Sequence, residues 1–326
     1  MEKPLPTWQC LPFQFKRNVV ELLDYKSRVH LSLTSKSDQE LVESCPINYH
    51  SIFIDLPTKN PNYPEYTIGL QETKMSDKTY RDFPELLAIF KLVKHPKSRI
   101  EKLDFRYCPE VDGSDDYIEA IQKLVDDLSS AMKRLDIKLI KIRHLTIYSS
   151  FDIRGLLHKI LTCFDPETLF EIRIVPGITL DTVSEIRETE QWKNLKKFTL
   201  DGKHSIPILD LFPPKCLFFQ AHGLTEMVLA PEDIRRIVES YLTRNALYGS
   251  FFVITITSNE YDVDGTIQDL RRDSYEVTSE DSYTDLKFKM EDTDNVFVAR
   301  IFTAGAQGAV CTKKNLEKDM EWLLRI

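Results

Sequence analysis

The feature that most constrains this chain is a short apolar pattern that returns along its middle. Its form is apolar, two residues, apolar, one residue, apolar. It runs as Ile100-x-x-Leu103-x-Phe105, Ile142-x-x-Leu145-x-Ile147 and Leu169-x-x-Ile172-x-Ile174. It continues as Leu195-x-x-Phe198-x-Leu200, Leu224-x-x-Met227-x-Leu229 and Phe251-x-x-Ile254-x-Ile256. After the first interval the spacing settles near 27 residues. The alternating end of each copy has the period of a strand with one buried face. Between copies the apolar spacing is helical: Ile118, Ile121, Leu124, Val125 and Leu128 follow Asp115 and Asp116, which are suited to capping. Ile153, Leu156, Leu157, Ile160 and Leu161 form a second series, Val183 and Ile186 a third, and Pro231 opens a fourth through Ile234, Ile237, Val238 and Leu242.

A strand and a helix repeating at this interval predict a leucine-rich-repeat-like α/β arc, in which neighbouring units share a core that none can close alone. An open α/β sheet with crossover helices is the competing reading. Residues 204–221, rich in Pro and Phe, interrupt the pattern and read as an irregular loop. Pro57, Pro61 and Pro64 mark a linker. The expected organisation is a helical domain over 1–50, a linker with a first strand and helix over 51–99, and the repeat-like region over 100–326. Residues 257–296 hold twelve acids and four bases, a difference equal to the net charge of −8 for the 326-residue chain. That stretch reads as a solvated loop or the outer face of irregular strands, or as a patch that attracts a basic partner. Glu260, Asp262 and Asp264 have the spacing of a calcium loop, but Arg271 stands at the twelfth position, where a bidentate Glu must close the cage.

The acidic balance argues against a general nucleic-acid binder. No apolar run approaches the length of a membrane span, and the first residues lack the pattern of a signal peptide. Six scattered cysteines (Cys10, Cys45, Cys108, Cys163, Cys216, Cys311) form no CxxC pair, which predicts buried reduced thiols, no metal site and a cytoplasmic or nuclear address. No GxSxG, HExxH, GxGxxG or phosphate-loop motif occurs, and Gly305-Ala306-Gln307-Gly308 lacks cofactor spacing. The isolated histidines, His144 and His158 among them, read as packed or surface residues, and Trp192 as a core residue. No catalytic residue and no cofactor is expected.

Residues 8–45 read as two or three short helices. Leu11-Pro12 opens an apolar series through Phe15, Val19, Leu22 and Leu23. Asp24 to Ser27 is a polar break suited to a turn or a cap, and Val29, Leu31 and Leu33 precede a further helix through Leu41 and Val42. A unit near 40 residues rarely closes its own core, so another surface must cover part of it. Leu11, Pro12, Val19, Leu23, Asp24, Leu31, Leu33, Ser35 and Lys36 fit the F-box pattern without a gap. Gln14 stands where Glu is common, and Asp38 where many members have Trp. The run Glu185-Ile186-Arg187-Glu188-Thr189-Glu190-Gln191-Trp192-Lys193 resembles a hallmark of the F-box-associated FTH domain. Leu161 to Ile174, Ala221-His222 and Leu224 to Leu229 are similar to its neighbouring stretches, over roughly residues 90–260.

The chain thus resembles an F-box protein with an FTH domain, of the type expanded in nematodes. That resemblance implies the substrate receptor of an SCF-type (Skp–cullin–F-box) ubiquitin ligase, non-catalytic in itself. Its partners would be a Skp-family adaptor, a cullin reached through it, and a target protein held by the arc. The expected adaptor anchors are Leu11, Pro12, Val19, Leu23, Leu31 and Leu33. A repeat-arc interaction scaffold with no ligase role is the alternative.

Overall fold

A computed structural model describes residues 7–55, 67–71, 93–106, 114–148, 155–175, 180–202, 207–224, 229–257, 261–291, 293–316 and 318–319. The linker prolines, Ile153, Met227, Glu260 and Cys108 lie outside the described residues. The chain divides into two compact units, residues 1–146 with 162–169, and residues 147–161 with 170–326.

The first unit opens with a 3-10 turn at Trp8–Cys10 and three helices: α1 (Phe13–Leu22), α2 (Tyr25–Ser32) and α3 (Lys36–Glu43). The polar break at Asp24 is a cap, one of the two roles the sequence suits it for, and Ser35 caps the next helix. The Asp24 carboxylate accepts from the Ser27 N–H at 2.8 Å, and the Ser35 hydroxyl accepts from the Asp38 N–H at 3.1 Å. Strand β1 (Asn48–Asp55) follows at once and pairs antiparallel with β2 (Thr67–Gln71) and parallel with β3 (Arg99–Arg106). Helix α4 (Ser114–Leu135) then leads to β4 (Ile142–Tyr148), which lies beside β3 in the sheet.

The second unit continues through α5 (Leu156–Thr162), β5 (Glu171–Val175), α6 (Leu180–Arg187), α7 (Glu190–Asn194) and β6 (Lys197–Asp201). Next come β7 (Phe218–Leu224), α8 (Pro231–Thr243) and β8 (Phe251–Ile256). Strands β5 to β8 are parallel and adjacent in chain order. Pro231 sits in the first turn of α8, and the Asp233 carboxylate accepts from the Ala230 N–H at 3.0 Å, which fixes the start of that helix.

On β5 to β8, Ile172, Ile174, Phe198, Leu200, Phe219, Phe252 and Ile254 point to one buried face. Glu171, Lys197, Asp201, Gln220 and His222 stand half-buried on the other face, and Arg173 is exposed there. Parallel strands covered on both faces would be apolar on both. On β5 to β7 this burial is one-sided, whereas β8 is buried on both faces, with Phe251 and Val253 packed against Val296 and Val298, and the whole is a mixed α/β region built on a large sheet. Aromatic rings thread the covered face: Phe198 to Phe219 at 6.1 Å, Phe212 to Tyr241 at 6.0 Å, Tyr241 to Phe297 at 5.4 Å. The buried Tyr241 hydroxyl donates to the Phe251 carbonyl at 2.7 Å.

Two expectations need correction. The strand at the fifth copy of the pattern is Phe218–Leu224, where Phe218 pairs with Lys197 on one side and Phe251 on the other; residues 225–228 lie outside the described residues. Residues 204–221 are accordingly not one irregular loop. Ile208–Leu211 is a 3-10 turn that buries Ile208 and Leu211, and the strand begins at Phe218. The acidic stretch takes the strand rather than the loop alternative. It holds α9 (Val263–Arg271), β9 (Glu276–Ser279) and β10 (Tyr283–Lys289).

With β11 (Asn295–Phe302) and β12 (Gly305–Thr312) these strands form an antiparallel meander, ordered β8-β12-β11-β10-β9. Asp285 and Arg300 face each other inside it, at 2.7 and 2.8 Å. The Gly305 and Gly308 pair serves this packing. A Cβ at Gly308 would stand 2.5 Å from the Phe252 ring, and one at Gly305 would stand 2.0 Å from the Ile254 carbonyl.

Candidate adaptor-docking site

The three N-terminal helices have a small core of their own. Val20, Tyr25, Leu41, Val42, Cys45 and Ile47 are buried. Arg28 is buried with them, and its guanidinium donates to the carbonyls of Glu21, Leu23 and Pro46, each at 3.1 Å. A buried cation is tolerated when every donor finds an oxygen, and here the carbonyls come from both ends of the helical unit.

Four large apolar side chains of the unit stay open to water. Leu22 is 88% exposed, Leu33 79%, Phe13 63% and Phe15 54%. Among the described residues these are four of eight large apolar side chains left in water. Of the six expected anchors, Leu33 and Pro12 are exposed, and Leu11, Val19, Leu23 and Leu31 are half-buried. Phe13, Phe15 and Leu22 are exposed as well and were not among the expected anchors. Leu22 ends α1, and Leu23 beyond it turns back against the core, so a one-residue difference in the helix end decides which leucine faces out.

Asp38 departs from the F-box pattern, and the geometry explains how the chain accommodates it. Its carboxylate accepts from the Trp8 indole at 2.8 Å, the Thr34 hydroxyl at 2.8 Å and the Ser35 hydroxyl at 2.7 Å. An indole is still present at this place, but it arrives from residue 8 and is held by a carboxylate. The Trp8 indole, with the Ser35 and Thr34 hydroxyls, holds Asp38 below the usual carboxylate range. A lowered folded-state pKa contributes stability above the unfolded value and loses it as pH falls through the folded one. Asp38→Ala should therefore cost about 2 kcal/mol near neutral pH, by stranding the indole N–H. The gap from wild type should narrow below about pH 4. Thermal unfolding of both proteins across that range checks it.

The Glu185–Lys193 run is a packing device. The Thr189 hydroxyl donates to the Ile186 carbonyl at 2.6 Å and accepts from the Trp192 N–H at 3.2 Å, which joins α6 to α7 at a corner. Trp192 drops beneath β6, with its ring edge-on to Phe198 at 5.0 Å. Glu185 accepts from the Gly155 N–H at 2.6 Å.

Chemical groups are otherwise absorbed by structure. Cys45, Cys163, Cys216 and Cys311 are buried free thiols, and Cys10 is exposed. Burial pushes Cys163 up to about 11 and Cys216 and Cys311 up to about 12, so these are poor nucleophiles. Asp262, from the calcium-like spacing, caps α9 by accepting from the Gly265 N–H. His144 sits 3.4 Å from the Glu101 carboxylate. Among the described residues no group of three His, Cys, Asp or Glu could hold a metal, and no helix is long and apolar enough to cross a membrane.

The open apolar helical unit is matched by the F-box domain model over residues 8–50. The FTH domain model matches residues 119–263, starting further along the chain than the sequence resemblance suggests. The chain is an F-box protein with an FTH domain. No curated protein and no solved structure matches it.

Proposed function

We propose that the chain is the substrate receptor of an SCF-type ubiquitin ligase. Its F-box docks a Skp-family adaptor, and through it a cullin, while the strand-and-helix region holds a target protein. One observation carries this reading: Phe13, Phe15, Leu22 and Leu33 stand in water on a unit whose own core is already packed. Large apolar side chains left open on a small helical unit are what a partner would cover. The anchors are Leu11, Pro12, Val19, Leu23, Leu31 and Leu33, with the exposed phenylalanines and Leu22 beside them. The chain contributes no reacting group. Its role is to hold a target lysine near the charged conjugating enzyme, so that transfer gains from proximity.

Co-expression with a Skp-family adaptor tests this. The expected result is a one-to-one complex that survives size-exclusion chromatography. A chain that elutes without the adaptor overturns the ligase reading and leaves a scaffold whose helical end serves another partner.

A further inference from the structure

The proposed receptor role leaves open where a target is held, and the far edge of the meander offers a surface with defined chemistry. Strand β9 is the last in its sheet and pairs with β10 alone. The Glu280 N–H donates to the Tyr283 carbonyl at 2.9 Å. Antiparallel alternation then turns the main chain of Thr278 and Glu276 toward β10, and that of Val277 and Ser279 outward. Among the described residues no strand pairs with that outward side. An edge of this kind is a template for another strand unless Pro, charge, shortness or a covering element blunts it; this edge is short and acidic, which turns away acidic or identical strands rather than basic ones. Glu-Val-Thr-Ser contains neither Pro nor Lys, and Val and Thr favour extended backbone.

Charge selects the occupant. Residues 273–281 contain Asp273, Glu276, Glu280 and Asp281 and no base. All four acids are exposed. Two of these acids already have bases of this chain, Glu276 with Lys287 and Asp273 with Arg235 at 3.8 Å, so Glu280 and Asp281 carry the selectivity; Arg272 reaches Asp269 at 3.9 Å, and Lys289 lies over the Tyr275 ring at 5.8 Å. Arg271 is exposed. A second copy of this edge would bring Glu276 and Glu280 alongside their own counterparts, and like charges across strands repel. A lysine- or arginine-rich strand meets attraction instead.

We infer that the outer edge of β9 binds an extended, basic segment of a target protein by adding it as a further strand. This rests on the receptor reading given above. Main-chain bonds to Val277 and Ser279 supply binding, and the acids supply selectivity for basic side chains.

The test uses the full chain and a fluorescein-labelled peptide of alternating lysine and valine, read by fluorescence anisotropy. A peptide of alternating glutamate and valine is the comparison. Saturable binding of the lysine peptide is expected, with none of the glutamate peptide. Val277→Pro with Ser279→Pro removes the two outward N–H groups and spares the β10 ladder, so binding should weaken about tenfold or more. Glu280→Lys with Asp281→Lys, on exposed side chains, should weaken it by a similar factor with no change in unfolding temperature.

Equal binding of the two peptides, or lysine-peptide binding unchanged in both variants, overturns the inference. So does a concentration-dependent dimer that the proline variant abolishes, since the edge would then serve a second copy. Adaptor capture is scored separately. Capture without peptide binding removes the edge and keeps the ligase reading, whereas peptide binding without capture removes the ligase reading and leaves the edge.

Discussion

Leu33→Asp should abolish capture of a Skp-family adaptor while leaving the unfolding temperature of the chain where it is. Leu33 closes α2 and is 79% exposed, so its side chain contributes little to the fold of the free protein. In a complex the same position would lie under a partner helix, and a carboxylate there would lose its water without gaining a cation. Central apolar anchors of an interface each carry about 2 kcal/mol or more, and an added buried charge raises the loss. The expected outcome is a fall of about a hundredfold or more in affinity, read by pull-down and titration calorimetry. Leu31→Asp is a poorer probe, because Leu31 is half-buried and its substitution disturbs the helices as well. Leu247→Asp is the matching control: it is equally open to water, lies outside the F-box, and should leave capture intact. Undiminished capture by a folded Leu33→Asp protein would remove the docking proposal.

Trp192→Ala should give the largest loss of stability, about 3–5 kcal/mol. The indole is 1% exposed and packs edge-on against Phe198, within the aromatic series that continues through Phe219. Its removal leaves a void that α7, a helix of five residues held by the Thr189 cap, has little means of filling. For a protein stable by 5–15 kcal/mol, that is a large share of the whole. Urea unfolding of the Trp192→Ala protein, followed by circular dichroism, should show the midpoint displaced well below wild type. Adaptor capture by the F-box at low temperature should persist. A midpoint within error of wild type would mean that Trp192 is not a core anchor.

Five of the six copies of the apolar pattern lie on strands, because each encodes a local alternation that burial then enforces. The cap at Asp24 and the opening of α8 at Pro231 were equally legible, since each depends on neighbours within one turn. The fifth copy misled. The pattern starts at Leu224, yet that residue ends the strand, which begins at Phe218 because its partners on β6 and β8 are 21 and 33 residues away. The meander was invisible for the same reason: Asp285 and Arg300 become a pair only once β10 and β11 are set in register. At the candidate site the helical hairpin could be read from spacing. Which of its apolar residues stay wet could not, because that depends on where α1 stops, and so Phe13, Phe15 and Leu22 were passed over.

The three carbonyls gathered by Arg28 have a practical corollary. One belongs to Pro46, just ahead of β1, and the next residue, Ile47, donates its N–H to the Ser98 hydroxyl at the entry to β3. The three N-terminal helices are thereby bolted to β1 and β3 rather than tethered by a swivel. A chain cut after residue 50 keeps the whole F-box match but loses Ser98 and the strand beside it. Such a fragment would carry the greasy surface without its footing, and would clump where the intact protein stays dispersed.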